Sequence, residues 1–462
     1  MNANIGEHWL STSDLCQYLS ISNDTLYHLI QNSGFPAQKT GKDWKALRGQ
    51  VDSWISIHHS NSQDKSQLTT LSPSQGEKPW EIFEYPLHAE EKCPYTHVSL
   101  FSGCGGIDLG FRQAGFKTIF ALDIDEDACL TYKENIGDIT IGDIRETSLP
   151  KIKKLDLLTA GFPCQPFSNA GSRKGFSDFR GSLFLSALNA VEQLSPKVVM
   201  FENVRGLLSS KHNGKYLIET ISNKLSRLGY TVTFSLVDAS KHNVPQKRLR
   251  VIIVGIKKMR KIGNFAFPPI VNRDNLTLNH IVMDIPKTIS NQDEIMQLNP
   301  QALEIVKKIP EGGSWKDIPY SELPDRLKKI HDNIERYHWP KFYRRFHRNE
   351  ISGTITAAFK PENAGVWHPT EGRVFTVREI ARIQTFPDWF IFKGKNIKSK
   401  YQQIGNAVPP RLAFEIAQQI VRVLNGEKLL TKEQTIFFSK FKKFGRPVRV
   451  CDQNIVYDLG GK

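Results

Sequence analysis

From Thr96 onward the chain repeats one pattern: a short, mostly apolar strand, often with a glycine or an acid at its end, then an amphipathic helix. HVSLF (97–101), KTIFALD (117–123), DLLTAG (156–161), VVMFEN (198–203), VTFSLVD (232–238) and VIIVGI (251–256) read as the strands. Strands without polar alternation are buried on both faces, and helices between them make the crossovers that parallel pairing needs. The pattern therefore predicts an α/β fold with a doubly wound, mostly parallel sheet. RLAFEIAQQIVRVL (411–424) is a strongly periodic helix expected to return to that sheet. Ligands of such sheets bind beyond the carboxyl ends of the strands, so the residues just after each strand carry the functional information.

The flanking segments break this rhythm. Residues 7–57 read as a unit of their own. Ser11, with Asp14 three residues on, predicts a capped helix ending near Leu19. Ser22 or Asn23 caps a second helix ending at Gly34, residues 37–47 read as a hairpin around Gly41-Lys42, and RGQVDSWIS reads as a last helix. Helix, turn, helix, wing, helix is a DNA-reading layout, with Tyr27 and His28 on the second helix as candidates to face the groove. A folding or protein-docking module is the alternative. Residues 58–79, rich in Ser, Gln and Thr, are a linker. Residues 257–372 form a smaller, loop-rich region between the two halves of the α/β domain, 96–256 and 373–424.

Charge points to the partner. Lys and Arg number 62 against 47 Asp and Glu, a net +15. Residues 1–60 hold four basic and five acidic side chains, whereas 241–350 hold 21 and 12, a net +9, and 427–462 hold eight and four. An excess concentrated this way favours a polyanion, most simply nucleic acid. YHWPKFYRRFHR (337–348) interleaves aromatic and basic residues, which suits phosphate contact and stacking or, equally, a packed hinge. No apolar run is long enough to span a bilayer and no secretory leader is legible, so no membrane partner is expected. The six cysteines make neither a CxxC pair nor a zinc-type Cys/His cluster, so no metal is expected, and free thiols fit a cytoplasmic location.

Five strand ends and one strand start carry chemistry. Gly103, Gly105 and Gly106 follow the first strand, where glycines let the backbone approach a ligand at a helix N-terminus. Asp123 ends the second strand 20 residues after Gly103, and a carboxylate there suits the hydroxyls of an adenosine ribose. The glycine spacing is not that of a dinucleotide site, which disfavours a nicotinamide oxidoreductase. Asp143 closes a further strand-like segment, where it can accept from an adenine amino group. In GFPCQPFS (161–168), Cys164 is held between two prolines on a stiff turn, the placement a thiol nucleophile needs. Glu202 closes the next strand and can give a proton to a ring nitrogen, or serve as a cap or salt-bridge residue. In QKRLR (246–250), Arg248 and Arg250 share a face by the two-residue period and can hold the carboxyl, a base or a phosphate.

LFSGCGGIDLGF, GFPCQPFS, FENV, QKRLR, RVFTVREIARIQTFPD (373–388) and IGNAVPP (404–410) stand in the order found in the DNA cytosine-5 methyltransferases, and residues 97–424 resemble that family. The N-terminal unit resembles the winged helix-turn-helix of excisionases. The first resemblance implies a Rossmann-like methyltransferase domain, S-adenosyl-L-methionine as cofactor and duplex DNA as substrate. It places Phe101, Gly103, Gly105, Gly106, Asp123, Ile124, Asp143 and Asn406 at cofactor-contacting positions. Ile124 stands where the family often has an aromatic residue against adenine. Cys164 matches the nucleophile, and Glu202 and Arg250 match residues that handle the cytosine. Ser168 to Leu183 resembles the loop that closes over DNA, and 257–372 corresponds to the target-recognition region.

A monomer working beside a cognate restriction endonuclease on the same site, without contact between them, is the expected setting. An RNA cytosine-5 methyltransferase, and a dual role as methyltransferase and transcriptional autoregulator, are the alternatives.

Overall fold

The computed structural model describes residues 9–19, 26, 30, 35–40, 43–47, 50–51, 94–163, 183–212, 215–257, 265–270, 276–333, 343–358, 366–427, 448–450 and 454–458. The chain divides between Ser74 and Gln75 into two compact units.

The first unit contains a three-stranded antiparallel sheet of β1 (Trp9–Ser11), β2 (Gln38–Thr40) and β3 (Asp43–Leu47), in the order β1-β3-β2. The helix Thr12–Leu19 begins where its sequence says it should. Ser11 donates from its amide and hydroxyl to the Asp14 carboxylate at 2.9 and 2.7 Å, and the Asp14 amide donates back to Ser11 Oγ at 3.3 Å. Thr40 pairs with Asp43 across β2 and β3, and Gly41 and Lys42 lie outside the described residues. Leu15, Leu26, Phe35, Ala46 and Val51 form a separate apolar core. Tyr27 and His28 lie outside the described residues.

The second unit is built on a nine-stranded sheet. Its strands are β4 (Tyr95–Leu100), β5 (Phe116–Asp123), β6 (Thr140–Ile141), β7 (Leu157–Ala160), β8 (Val198–Val204), β11 (Tyr230–Asp238), β12 (Leu249–Lys257), β13 (Val448–Val450) and β14 (Asn454–Asp458). A small separate hairpin, β9 (Lys211–His212) and β10 (Lys215–Tyr216), follows β8. The order is β13-β14-β11-β12-β8-β7-β4-β5-β6. β4 through β8 pair in parallel, as expected. β12 pairs antiparallel with both β8 and β11, and β14 antiparallel with β11 and β13. Only β12 and β14 therefore run against the rest.

Two features depart from the sequence reading. VTFSLVD and VIIVGI form an antiparallel pair with no helix longer than the short turn Ala239–Lys241 between them. A connection that short cannot make a crossover. The sheet also continues past residue 424, because β14 covers the edge of β11.

β8 shows how the sheet is buried on both faces. Val198 and Met200 point into a core shared with Leu412, Ile416 and Ile420 of the helix Pro410–Leu424. Val199 and Phe201 point into one shared with the helices Leu183–Leu194 and Leu217–Arg227. The return of Pro410–Leu424 to the sheet is close. A Cβ at Gly110, on the helix Gly106–Gln113, would lie 2.4 Å from the Pro410 carbonyl oxygen.

The third core draws on residues 276–330, 343–367 and 374–404, with Trp315, Trp367, Phe375 and Tyr401 fully buried in it. Short helices Leu278–Val282, Pro300–Lys307 and Asp325–His331 pack there beside Val377–Ile383 and Ile397–Asn406. Residues 373–404, read from sequence with the α/β half, thus share their apolar core with 276–355. No helix among the described residues is long and apolar enough to cross a membrane.

Candidate active site

Strand register assembles the site. Leu122, Leu100, Ala160 and Phe201 lie side by side across β5, β4, β7 and β8. One residue further, Asp123, Phe101, Gly161 and Glu202 stand together at the carboxyl edge. Residues from 22 to 101 positions apart in sequence are therefore neighbours because four parallel strands end level.

The β4–β5 end is a turn of unusual backbone. Phe101, Gly103 and Gly105 all have positive φ, at 56°, 55° and 92°. The Gly103 amide donates to Asp123 Oδ2 at 2.7 Å, and the Asp125 amide to Oδ1 at 2.8 Å. Burial raises the Asp123 carboxyl above its ordinary pKa, and these amide donors oppose the rise. A Cβ at Gly103 would meet no atom within 4 Å, so this glycine faces open space. Ile124 beside it is 63% exposed.

Gly105 and Gly106 have a different reason to be glycine. A Cβ would lie 2.1 Å from Ile136 Cδ1 at the first and 2.4 Å from the Val408 oxygen at the second. The second contact brings Val408 and Ala407 of the IGNAVPP segment against the glycine turn, and Asn406 just before them is exposed. Asp143 is gripped by Arg145, whose Nε donates to Oδ1 at 2.8 Å and whose Nη2 donates to Oδ2. That hydrogen-bonded ion pair holds the Asp143 carboxyl below the usual range.

At the β8 end, Glu202 and Arg250 form an ion pair, Nε to Oε1 2.8 Å, with 11% of each side chain exposed. They are diagonal neighbours on one sheet face, since Glu202 pairs with Ile252 and Arg250 with Val204. Burial raises the Glu202 carboxyl above its ordinary pKa even though the charges of Arg250 and Arg248 pull it down. The other oxygen, Oε2, lies 3.6 Å from where a Gly161 Cβ would be, so a glycine at 161 keeps the space around it clear. The result is a carboxyl oriented by a guanidinium through one oxygen and able to carry a proton on the other. Cys164 and residues 168–182 lie outside the described residues.

Arg248 and Arg250 do not act alike. The Arg248 side chain is fully buried, and its guanidinium donates to the Ile355, Gly405 and Ala407 carbonyl oxygens at 2.7, 2.9 and 2.8 Å. Gln246 and Gln384 extend this knot. Gln246 Nε2 donates to Gln384 Oε1 at 2.8 Å, the Ile355 amide to Gln246 Oε1 at 3.0 Å, and Gln384 Nε2 to the Ile404 oxygen at 2.7 Å. The QKRLR, 373–388 and IGNAVPP blocks are thus joined through side chains that hold main chain in place. Position 405 tolerates only glycine, because a Cβ would lie 2.4 Å from the Thr356 carbonyl.

The basic stretch ending at Arg348 is packed in its described part. Tyr343 stacks on Trp367 at 6.1 Å, Arg345 is buried against the Val306 and Glu371 carbonyls, and Arg344 and Arg348 pair with Glu350 and Glu311. Among the described residues, these arginines are thus held by backbone carbonyls and carboxylates. Sequence reasoning also passed over Asn203, 3% exposed, which donates from Nδ2 to the Phe162 oxygen at 3.0 Å. Its one signal was its place, directly after an acid at a strand end. No cluster of potential metal ligands occurs among the described residues.

A Rossmann-like α/β sheet with a glycine turn and an acid at one pair of strand ends, and a buried carboxyl–guanidinium pair at the next, defines a two-part enzyme site. Comparison with known proteins gives the class its family. The profile of the C-5 cytosine-specific DNA methylases matches residues 95–422, and the chain belongs to that family. It is a DNA cytosine-5 methyltransferase.

It is 36% identical to the Type II methyltransferase M.NgoFVII of Neisseria gonorrhoeae over 75% of this chain and 94% of that protein. It is 37% identical to M.Eco47II of Escherichia coli over 72% and 80%. Among solved structures it resembles a protein described as a DNA modification methyltransferase encoded within an E. coli prophage. That likeness has a TM-score of 0.50 and 25% identity, over 72% of this chain and 99% of the other.

Proposed function

We propose that the protein transfers a methyl group from S-adenosyl-L-methionine to carbon 5 of cytosine within a specific duplex DNA sequence, as the modification arm of a restriction-modification system. The observation that carries this reading is the buried Glu202–Arg250 pair set level with Asp123 and the Gly103 turn across four strand ends. The open space at Gly103, the exposed Ile124 and the amide-braced Asp123 fit an adenosine moiety. Phe101, Asp143 and Asn406 flank them. When bound there, the cofactor supplies an electrophilic methyl group.

Carbon 5 of cytosine is a weak nucleophile, and the protein's own groups must activate it. The Cys164 thiolate adds to carbon 6, forming a carbon–sulfur bond and moving electron density to carbon 5. Glu202, held by Arg250, donates to N3 and stabilises the charge as it develops. Carbon 5 takes the methyl group, leaving S-adenosyl-L-homocysteine. Solvent water takes the carbon 5 proton, the carbon 6–sulfur bond breaks to release the Cys164 thiolate, and N3 returns its proton to Glu202. A stacked base is out of reach, so the cytosine is flipped into the pocket. Arg248, with three carbonyls on its guanidinium, holds main chain together and has a structural role in this scheme.

Cys164→Ser tests the reading. Methyl transfer falls to background in an assay with labelled cofactor, while cofactor affinity stays within about twofold. Substantial residual transfer overturns it. The N-terminal unit, with its own core and a polar tether, is read as a separate winged helix-turn-helix that binds a second DNA site and serves autoregulation. A protein beginning near Lys78 then methylates the same sequence; lost activity on truncation contradicts that separation.

A further inference from the structure

Glu202 and Asn203 are consecutive on β8, so their side chains leave opposite faces of the sheet. Glu202 shares its face with Arg250. Asn203 shares the other with Phe201 and Phe162, whose rings meet edge-on at 5.6 Å; Phe162 in turn meets Phe101 at 6.5 Å. The β7–β8 ladder ends at Ala160 and Phe201. Beyond it the chain turns through Gly161, Phe162 and Pro163, and Pro163 has no N–H with which to prolong the pairing. Asn203 continues the connection with its side chain. Its Nδ2 donates to the Phe162 oxygen at 3.0 Å, and its Oδ1 accepts from the Val204 amide at 2.9 Å, so the carboxamide's orientation is set. At 3% exposure, water cannot replace a lost donor.

We infer that Asn203 is a positioning residue for the nucleophile. It fixes the Phe162–Pro163 peptide from which the chain passes, two residues on, to Cys164. One strand then sets both partners of the base: the carboxyl that meets N3 and, through the turn, the thiol that meets carbon 6. This inference rests on the assignment of Cys164 as nucleophile.

The test uses full-length protein and a duplex carrying 5-fluorocytosine at the target, which stalls the reaction as a covalent protein–DNA adduct. Adduct formation, cofactor affinity by calorimetry and thermal midpoint are measured for wild type, Asn203→Ala, Asn203→Asp and Cys164→Ser. Asn203→Ala slows adduct formation by about 10- to 100-fold, the scale for a misplaced reacting group, while its cofactor affinity stays within about twofold of wild type. Asn203→Asp separates positioning from simple destabilisation. As a carboxylate it repels the Phe162 oxygen; protonated, it donates to it. Its adduct rate relative to wild type, measured well below the thermal midpoint of either protein at each pH, therefore recovers as pH falls. A wild-type adduct rate in Asn203→Ala, or an Asn203→Asp deficit that does not vary with pH, overturns the inference. Adduct formation by Cys164→Ser overturns the underlying assignment instead, so the two failures are distinct.

Discussion

Replacing Arg248 with Met keeps much of the side-chain volume and removes the guanidinium that three buried main-chain carbonyls share. The donors reach Ile355, Gly405 and Ala407 at 2.7 to 2.9 Å, in a side chain with no solvent exposure. Ala407 keeps a donor in Gln384 Nε2 at 3.3 Å, and each of the other two carbonyls, left without one, costs about 1–3 kcal/mol. The variant also escapes the expense of burying a cation whose Nε has no hydrogen-bond partner, which holds the net loss to about 2–4 kcal/mol. Against a typical domain stability of about 5–15 kcal/mol that is a large fraction. Urea denaturation followed by circular dichroism shows a transition at markedly lower denaturant. Arg248→Lys, with one ammonium for three acceptors, recovers only part. Methyl transfer, measured well below the transition, falls in proportion to the unfolded fraction. An unchanged midpoint with abolished transfer would refute this reasoning and place the guanidinium on the substrate.

Asp123→Ala weakens cofactor binding by about 1–3 kcal/mol, the range for an unpaired buried hydrogen-bonding group, and unchanged affinity by calorimetry contradicts the role of the β5 carboxylate. Arg250→Ala removes a positive charge that holds the Glu202 pKa down against burial, so that pKa rises further. The alkaline limb of the kcat–pH profile then moves to higher pH while its plateau drops; a limb that stays in place detaches Glu202 from proton donation. Glu311, held at about 2 by its hydrogen bonds to Arg348, has a depressed folded-state pKa. The stability it contributes is present above the ordinary glutamate value of 4.5 and is lost as pH falls from there through about 2. Because Arg348 is 41% exposed, the Glu311→Gln penalty near neutral pH stays below about 1 kcal/mol. A penalty that does not shrink in acid denies the pair.

The legible parts of this protein are those where local chemistry and tertiary placement agree. A buried parallel strand ending in glycine or acid is readable because apolar runs and strand-end residues are adjacent in sequence. The Ser11–Asp14 cap was readable for the same reason. Arg248 and Arg250 looked equivalent, because a two-residue period says nothing about what waits across the fold. The Ile355, Gly405 and Ala407 carbonyls that take Arg248 come from segments more than 100 residues away. Glycines 103, 105 and 106 looked alike for a similar reason. Only the neighbours Ile136 and Val408 show that two of them answer to packing while the third faces open space. For the arginines before residue 349 the sequence left phosphate contact and a packed hinge open, because Glu311 and Glu350 carry no mark of the pairing. β14 lies some 220 residues from β11, the strand edge it covers, a separation no local pattern bridges.

Bisulfite sequencing of DNA from a methylation-free host expressing this protein tests the central claim most directly. Protected cytosines confined to one short sequence, and absent when the host carries Cys164→Ser, are the predicted result. Full conversion of every cytosine, in cells where the soluble protein still binds S-adenosyl-L-methionine, would contradict it.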